Sequence, residues 1–156
     1  MASYHFHLTQ VKRSRGQSVI AQAAYRAGEK LYSTYYGESS DFTRKRGVVM
    51  AEICLPDHAP REYADRETLW NALEWAESGR KAQLAHSFDI TLMNEFSMEE
   101  NIEMARAFVQ EELVARGMIA DFAIHDPVRP KGAEPNPSFE GRWNLGDKRK
   151  EDIGDG

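Results

Sequence analysis

The sequence of 156 residues has a single cysteine and no long run of apolar residues. Cys54 alone cannot form an internal disulfide. The N-terminus lacks the apolar stretch that a signal peptide or a membrane-spanning helix requires. Because the length suits one hydrophobic core, these features predict a single soluble, cytoplasmic domain without a membrane segment.

Positive charge is outnumbered by negative charge in the chain as a whole and is unevenly distributed along it. The net charge of −5 argues against binding of nucleic acid. Residues 1–50 nevertheless carry 8 Lys and Arg against 3 Asp and Glu, whereas residues 51–156 carry 12 against 22. The positive charge is gathered in two short clusters, Lys12–Arg15 and Arg44–Arg46. Such clusters suit a phosphate-binding surface, and two solvated loops explain them equally well.

Hydrophobic periodicity predicts strands and helices that alternate along the chain. Strands are predicted over Tyr4–Gln10, Val48–Pro56, His86–Leu92 and Met118–His125. Three helices are predicted: one capped by Ser18 that runs through Leu31, one capped by Asp65 that packs Leu69, Leu73 and Trp75 or Ala76, and one from the capping box Ser97–Glu100 to Gly117. This order predicts an α+β fold, an antiparallel sheet with helices packed on it.

Two polar stretches fall outside the predicted elements. Residues 32–47, YSTYYGESSDFTRKRG, are rich in turn-forming residues. From Asp126 onward the composition changes to proline, glycine and charged residues, with little to bury. We therefore predict that the last thirty or so residues form a loop or tail.

Tyr25 stands out in the alanine-rich first helix. On a helical wheel the apolar stripe centres close to Ala24, and Tyr25 lies about 100° or more away from it. An ordinary surface tyrosine explains this position. The alternative is a phenol presented to a substrate, since a tyrosine hydroxyl attacks a phosphodiester when a divalent metal and cationic side chains assist it.

If Tyr25 attacks a phosphodiester with the help of a metal, histidines and carboxylates are the candidate ligands and bases. His5 and His7 lie two apart on one face of a predicted strand, which is a weak metal-binding pattern. His125 ends an apolar strand, where a plain strand-end residue is the simpler interpretation. His58 is predicted to be exposed in a loop. Asp89 lies within an apolar alternation, where a carboxylate is costly unless paired, so it is the best candidate to orient a histidine or accept a proton.

Several segments together resemble, in order, the MobA/MobL family of plasmid mobilization relaxases. The opening YHFHLTQVKRSRGQSVIAQAAYRAGEKLY resembles the family's first strand, basic glycine-containing turn and alanine-rich helix. The later segments that resemble the family are DFTRKRGVV, EICLP, LWNALE, AQLAHSFDITL and FSMEENIEMARAFVQEELVARGMIADFAIHDP. The resemblance covers about residues 1–137 and is specific because many separate stretches occur in sequence. It implies a relaxase-like domain over residues 1–137 and leaves residues 138–156 as a polar loop or tail.

The resemblance implies a DNA relaxase of the HUH type. In such enzymes a tyrosine attacks a phosphodiester at the nick site of the transfer origin, becomes joined to the 5′ phosphate and leaves a free 3′ hydroxyl. Tyr25 matches that tyrosine, and Asp89 is a candidate carboxylate behind a metal ligand. The phosphate path would be lined by Lys12, Arg13, Arg15, Arg44, Lys45 and Arg46. The implied partners are single-stranded DNA at a transfer origin, accessory mobilization proteins and a coupling protein.

The resemblance also implies a divalent metal, Mg²⁺ or Mn²⁺, held by three histidines. His125 matches the first of them. The other two stand in a His-hydrophobic-His strand directly after an Asn-Pro, whereas here Asn136 and Pro137 precede Ser138 and Glu140 at the expected ligand positions. This departure predicts a weakened metal site and the loss of a central strand. It leaves a second function open, a non-catalytic remnant or accessory protein that binds single-stranded DNA.

Overall fold

The structure, a computed structural model, describes residues 6–12, 18–76, 83–92, 95–126 and 138–145. Side chains are described for residues 18–76, 86–92 and 95–126. In chain order the strands and α-helices are β1 (Phe6–Lys12), α1 (Val19–Ala27), β2 (Lys30–Ser33), β3 (Glu38–Asp41), β4 (Val48–Cys54), α2 (Arg66–Ala76), β5 (Gln83–Thr91), α3 (Met98–Phe108), β6 (Met118–His125) and β7 (Ser138–Leu145). Within these ranges no helix is long and apolar enough to cross a membrane.

The strands form one large sheet and one small hairpin. The sheet is antiparallel throughout, with the order β1-β5-β7-β6-β4. Strands β2 and β3 pair only with each other among the described residues. The predicted class is confirmed: the fold is α+β, an antiparallel sheet with helices packed on it.

Strand β7 corrects two expectations from the sequence. The composition of residues 138–156 predicts a polar loop or tail, and the departure after Pro137 predicts that a central strand is lost. Both are wrong for Ser138–Leu145, which form a strand between β5 and β6 at the centre of the sheet. Its sequence SFEGRWNL alternates in the way of a half-buried strand, and backbone pairing on both sides stabilises it although few of its residues are aliphatic.

Helices cover both faces of the sheet. Successive residues of a strand point to opposite faces, so a single strand can pack against helices on both sides. Ile119 of β6 packs into a core with residues of α1 and α2. Phe122 and Ile124 of the same strand pack instead with Val109 and other residues of the chain segment that begins with α3. The sheet is therefore the middle of three layers, with α1 and α2 on the face that carries Ile119.

Helix α1 is shorter than the sequence predicts. Ser18 caps it as expected, since its side chain accepts a hydrogen bond from the Ala21 N–H at 3.2 Å. The helix ends at Ala27 because Gly28 adopts a left-handed conformation with φ of 69°. Leu31, predicted to lie in this helix, belongs to β2 and is still buried in the core.

The hairpin β2–β3 occupies the stretch that the sequence marks only as turn-rich. Gly37, with φ of 68°, lies in its turn. The hairpin is fastened to α2, since the Tyr32 N–H donates to Glu67 at 2.6 Å and the Thr34 N–H donates to Asn71 at 2.9 Å. These bonds satisfy backbone groups on the outer edge of β2 and its turn.

The two later helices begin at their predicted caps. Asp65 accepts from the Thr68 N–H at 3.1 Å, and the capping box of α3 forms in full. Of the two alternatives predicted to pack in this part of α2, Trp75 is 56% exposed and Ala76 is half-buried, and the buried tryptophan is Trp70. The ring of Trp75 packs against Tyr35 of the hairpin turn, and this outward position lets its N–H donate to the Thr34 hydroxyl at 2.7 Å.

Candidate active site

Tyr25 lies in the last turn of α1 and is 52% exposed, so its hydroxyl-bearing ring is accessible to a ligand. Phe42 contacts the ring edge-on, with the ring centroids 5.3 Å apart and the planes at 89°. The ammonium of Lys45 lies 3.6 Å from the ring centroid and donates to the Tyr25 backbone oxygen at 2.8 Å. The loop after β3 therefore holds Tyr25 from two sides.

His125 ends β6 beneath the same turn of α1. It is 5% exposed, and its Nε2 lies 2.7 Å from the backbone oxygen of Arg26. A carbonyl oxygen only accepts hydrogen bonds, so Nε2 is the donor in this contact. A backbone partner of this kind fixes a metal-binding histidine in its ligand tautomer.

A buried network of charges, which the sequence reading does not identify, joins α1, α2 and β6. Its centre is Asp121, which is 1% exposed and accepts hydrogen bonds from Arg26 at 3.1 Å, Arg66 at 2.9 Å and the Trp70 N–H at 2.7 Å. Arg66 also pairs with Glu29 at 2.5 Å. Burial alone would raise the pKa of the Asp121 carboxyl, but the positive charges of Arg26 and Arg66 lower it below its ordinary value.

Arg26 is the residue that places Tyr25 relative to His125. Its side chain is bound to Asp121 and its backbone oxygen to His125, and both partners lie on one face of β6. Because Arg26 directly follows Tyr25, these two contacts fix the last turn of α1 over the end of β6. The fold thus places the helical turn that carries the predicted nucleophile next to the predicted metal ligand.

The basic cluster Arg44–Arg46 lies beside this place. Arg44 and Arg46 are exposed, whereas Lys45 is half-buried against Tyr25. The loop is fastened at its far end, where the Asp126 N–H donates to the Gly47 oxygen at 2.7 Å. Of the other predicted phosphate-binding residues, Lys12 ends β1 without a described side chain, and Arg13 and Arg15 lie outside the described residues.

Asp89 lies half-buried in β5, on the sheet face that also carries His125. The strand register puts it opposite His7 of β1 on one side and Glu140 of β7 on the other. His125 is two strands and two residues away, so its Cα atom is roughly 12 Å from that of Asp89. Asp89 is therefore placed to act on position 7 or 140 more directly than on His125.

The two expected ligand positions on β7 have the location in the sheet that the resemblance implies, but their residues are not histidines. Ser138 pairs with His125, and Glu140 pairs with Ala123, two residues earlier in β6. Positions 138 and 140 thus share a face with His125, with a hydroxyl and a carboxylate where two imidazoles are implied. Among the side chains that the structure describes, no three of His, Cys, Asp or Glu come together as metal ligands. The residues present do not fit a three-histidine site.

Two sequence predictions about neighbouring residues change with the structure. Tyr32, which the sequence places in a turn-rich stretch, lies in β2, where it is 45% exposed. His58, expected to be exposed, is half-buried.

The chain is similar to proteins of conjugation and plasmid mobilization. Residues 17–137 match the MobA/MobL family. The chain is 35% identical over 126 residues to a probable mobilization protein MobA of Bifidobacterium longum, with 81% of this chain and 22% of that protein covered. It is 38% identical over 136 residues to the conjugal transfer protein TraA of Rhizobium radiobacter, with 81% of this chain and 12% of that protein covered. The chain thus spans only a small part of these relatives.

Two further likenesses extend over more of the matched protein. A mobilization protein MobL of Acidithiobacillus ferridurans is 34% identical over 139 residues, which cover 88% of this chain and 36% of that protein. A chain from a solved structure described as the molecular basis of vancomycin resistance transfer in Staphylococcus aureus is 33% identical. It superposes with a TM-score of 0.82, over 92% of this chain and 71% of that chain.

Proposed function

Because the chain belongs to the MobA/MobL family of relaxases, we propose that it is a relaxase domain that nicks one DNA strand at a plasmid or mobile-element transfer origin, with Tyr25 as the nucleophile. The Tyr25 hydroxyl oxygen attacks the phosphorus, and the bond from phosphorus to the 3′ oxygen breaks. The 5′ phosphate stays on the tyrosine, the 3′ oxygen takes up a proton as a hydroxyl, and the phenol proton passes to a base. Asp89 is a candidate for that base or for the support of another site residue.

One observation carries the proposal: Tyr25 is half-exposed, held by Lys45 and Phe42, and joined through Arg26 to His125. A nucleophile needs access to its substrate and a fixed direction of attack, and the exposure of Tyr25 and its two contacts support this role. An ordinary surface tyrosine has no need of either restraint.

We propose that single-stranded DNA follows the basic clusters toward Tyr25. Arg44 and Arg46 are exposed and free to reach phosphate oxygens, and Lys45 lies between them. Lys12, Arg13 and Arg15 would extend the path on the strength of the sequence. Accessory mobilization proteins and a coupling protein are the proposed partners of the DNA-bound chain.

This chain differs from the pattern of its family at two of the implied metal-binding positions. A Mg²⁺ or Mn²⁺ ion would polarise the scissile phosphate, but Ser138 and Glu140 do not provide the two missing imidazoles. We therefore propose that this chain binds the metal weakly and that its cleavage of DNA is slow. The same observation favours the second candidate function, a module that binds single-stranded DNA without cutting it.

A nicking assay distinguishes the two functions. The chain is incubated with Mn²⁺ and a supercoiled plasmid that carries the cognate transfer origin, and covalent protein–DNA adducts are separated on a denaturing gel. The relaxase function predicts a slowly formed adduct with the natural chain, none with Tyr25→Phe, and an undiminished amount with Tyr32→Phe. Tyr32 is a matched control because it is a similarly exposed tyrosine in β2.

The other outcomes are equally informative. An adduct formed by Tyr25→Phe would show that another residue is the nucleophile. Binding of single-stranded DNA that weakens with salt, without an adduct, would replace the relaxase function by the binding module. A chain that neither binds nor cuts DNA would contradict both.

A further inference from the structure

We propose that Lys45 is a positioning residue that, together with Phe42, holds the Tyr25 ring in its attacking orientation before DNA arrives. This inference rests on the proposed role of Tyr25 and assigns Lys45 a task other than binding phosphate. It divides the basic cluster in two: Lys45 is directed at the nucleophile, and Arg44 and Arg46 are directed at solvent.

The contacts of Lys45 restrain both the backbone and the ring of Tyr25. Its ammonium donates to the Tyr25 backbone oxygen at 2.8 Å and lies 3.6 Å from the ring centroid. A cation over the face of an aromatic ring is attracted by the ring's quadrupole. Since the same charge touches both groups, rotation of the tyrosine about χ1 would break the contact with the ring.

Phe42 restrains the same ring from another side. Its edge-to-face contact with Tyr25, at 5.3 Å and 89°, is the favourable geometry for an aromatic pair. A half-exposed tyrosine without such neighbours moves among several rotamers, and only one of them directs the hydroxyl at a given phosphate. The contacts with Lys45 and Phe42 limit the rotamers of Tyr25 before DNA binds.

The loop that carries Phe42 and Lys45 is itself fixed at its start. The Phe42 N–H donates to the Glu29 oxygen at 3.1 Å, just beyond the end of α1, and the Lys45 N–H donates to the Phe42 oxygen at 3.0 Å. Thr43 donates to Asp41 through both its N–H, at 3.0 Å, and its hydroxyl, at 2.7 Å. The support of the Tyr25 ring is thus part of the folded frame rather than an incidental surface contact.

The contact is tested first in the free chain by proton NMR. A methylene group next to an ammonium over a ring face is shifted upfield by the ring current. We expect the Lys45 ε-protons to be shifted upfield in the natural chain and in Arg44→Met, and to return to the position of a solvated lysine in Tyr25→Leu. Lys45 ε-protons that do not move in Tyr25→Leu would overturn the proposal, whether or not the chain cuts DNA.

The positioning role is tested by the rate of adduct formation at saturating DNA. Lys45→Met keeps the length of the side chain and removes its charge, and we expect the rate to fall about fivefold. Arg116→Met, on the exposed end of the segment after α3, removes a positive charge far from Tyr25 and is expected to leave the rate unchanged.

A Lys45→Met chain that needs more DNA but reaches the natural rate would show that Lys45 binds phosphate only. Absence of any adduct from the natural chain contradicts the nicking function, and the NMR result then decides the positioning alone.

Discussion

The Nε2 atom of His125 and the backbone oxygen of Arg26 are 2.7 Å apart, which joins the end of β6 to the last turn of α1. Arg26 follows the proposed nucleophile, Tyr25, and its side chain is bound to Asp121 on the same strand as His125. One residue therefore connects the two predicted parts of the site. The stability of that connection depends on a buried carboxylate.

We predict that Asp121→Asn strongly destabilises the chain. The substitution keeps the shape of the side chain but leaves Arg26 and Arg66 buried without their shared anion. Removing one partner of a buried ion pair costs about 3–5 kcal/mol of the free energy of unfolding. Urea unfolding measures the change. The control is Glu112→Gln, which breaks an exposed pair with Arg116 and is expected to cost less than about 1 kcal/mol. Equal losses in the two variants would contradict the importance assigned to Asp121.

We predict that Asp121 also makes the stability depend on pH in the acid range. Its pKa is lower in the folded chain than the ordinary value of 3.8, because Arg26 and Arg66 outweigh the effect of burial. Its contribution is therefore complete above the unfolded-state value and is lost as the pH falls through the folded-state value. The free energy of unfolding of the natural chain should fall below about pH 4 more steeply than that of Asp121→Asn. Parallel pH profiles would show that Asp121 has the same pKa in both states.

The sequence predicts those parts of the fold that rest on local patterns. Strand β6 has its predicted bounds, Met118–His125, because an apolar run between Gly117 and a polar turn leaves little choice. The caps Ser18 and Ser97 form because each hydroxyl satisfies an N–H three residues later. The antiparallel class of the sheet follows once these elements are placed.

The place of β7, the end of α1 and the partners of Asp121 depend on the folded chain and not on local sequence patterns alone. Strand β7 has the alternation of a strand but few aliphatic residues, so its composition predicts a loop, and its place in the sheet depends on pairing with β5 and β6. Helix α1 ends early because Gly28 can adopt a positive φ, although the apolar stripe continues to Leu31. Asp121, by contrast, carried a readable signal, since a carboxylate inside the apolar run MIADFAIH has to be paired. Its partners Arg26 and Arg66 could not be named without the fold.

We predict that exposed arginines of the loop after β3 contribute to DNA binding through charge. Replacing both Arg44 and Arg46 by alanine should reduce the slope of log K against log salt by about 1.4 units, if each releases one counterion from single-stranded DNA. Fluorescence anisotropy with a labelled oligonucleotide at several salt concentrations gives the slope. Arg116→Ala, an exposed arginine beyond α3, should leave it unchanged. A binding constant that does not respond to salt would contradict an electrostatic interface.

The last prediction concerns positions 138 and 140 of β7, at which the resemblance to the family implies histidines. Because Ser138 pairs with His125, and Glu140 lies one row further on the same face, the backbone already has the register that a ligand set on neighbouring strands requires. The side chains of Ser138 and Glu140 offer no nitrogen donor, and the proposed ligand His125 would supply a single protein nitrogen. We therefore expect Ser138→His combined with Glu140→His to create a Mn²⁺ site that binds one ion at least about tenfold more tightly than the natural chain does.

Calorimetry with Mn²⁺ and the visible spectrum of bound Co²⁺ measure this gain independently of DNA cleavage. Adding His125→Ala to the double variant should remove it, since two histidines on one strand do not enclose an ion without the third. If the double variant binds Mn²⁺ no better than the natural chain, β7 does not hold positions 138 and 140 beside His125. If the gain survives His125→Ala, the ligand role assigned to His125 is wrong. If the gain appears and the double variant also forms the Tyr25 adduct faster, the slow cleavage proposed for the natural chain is explained by its two missing ligands.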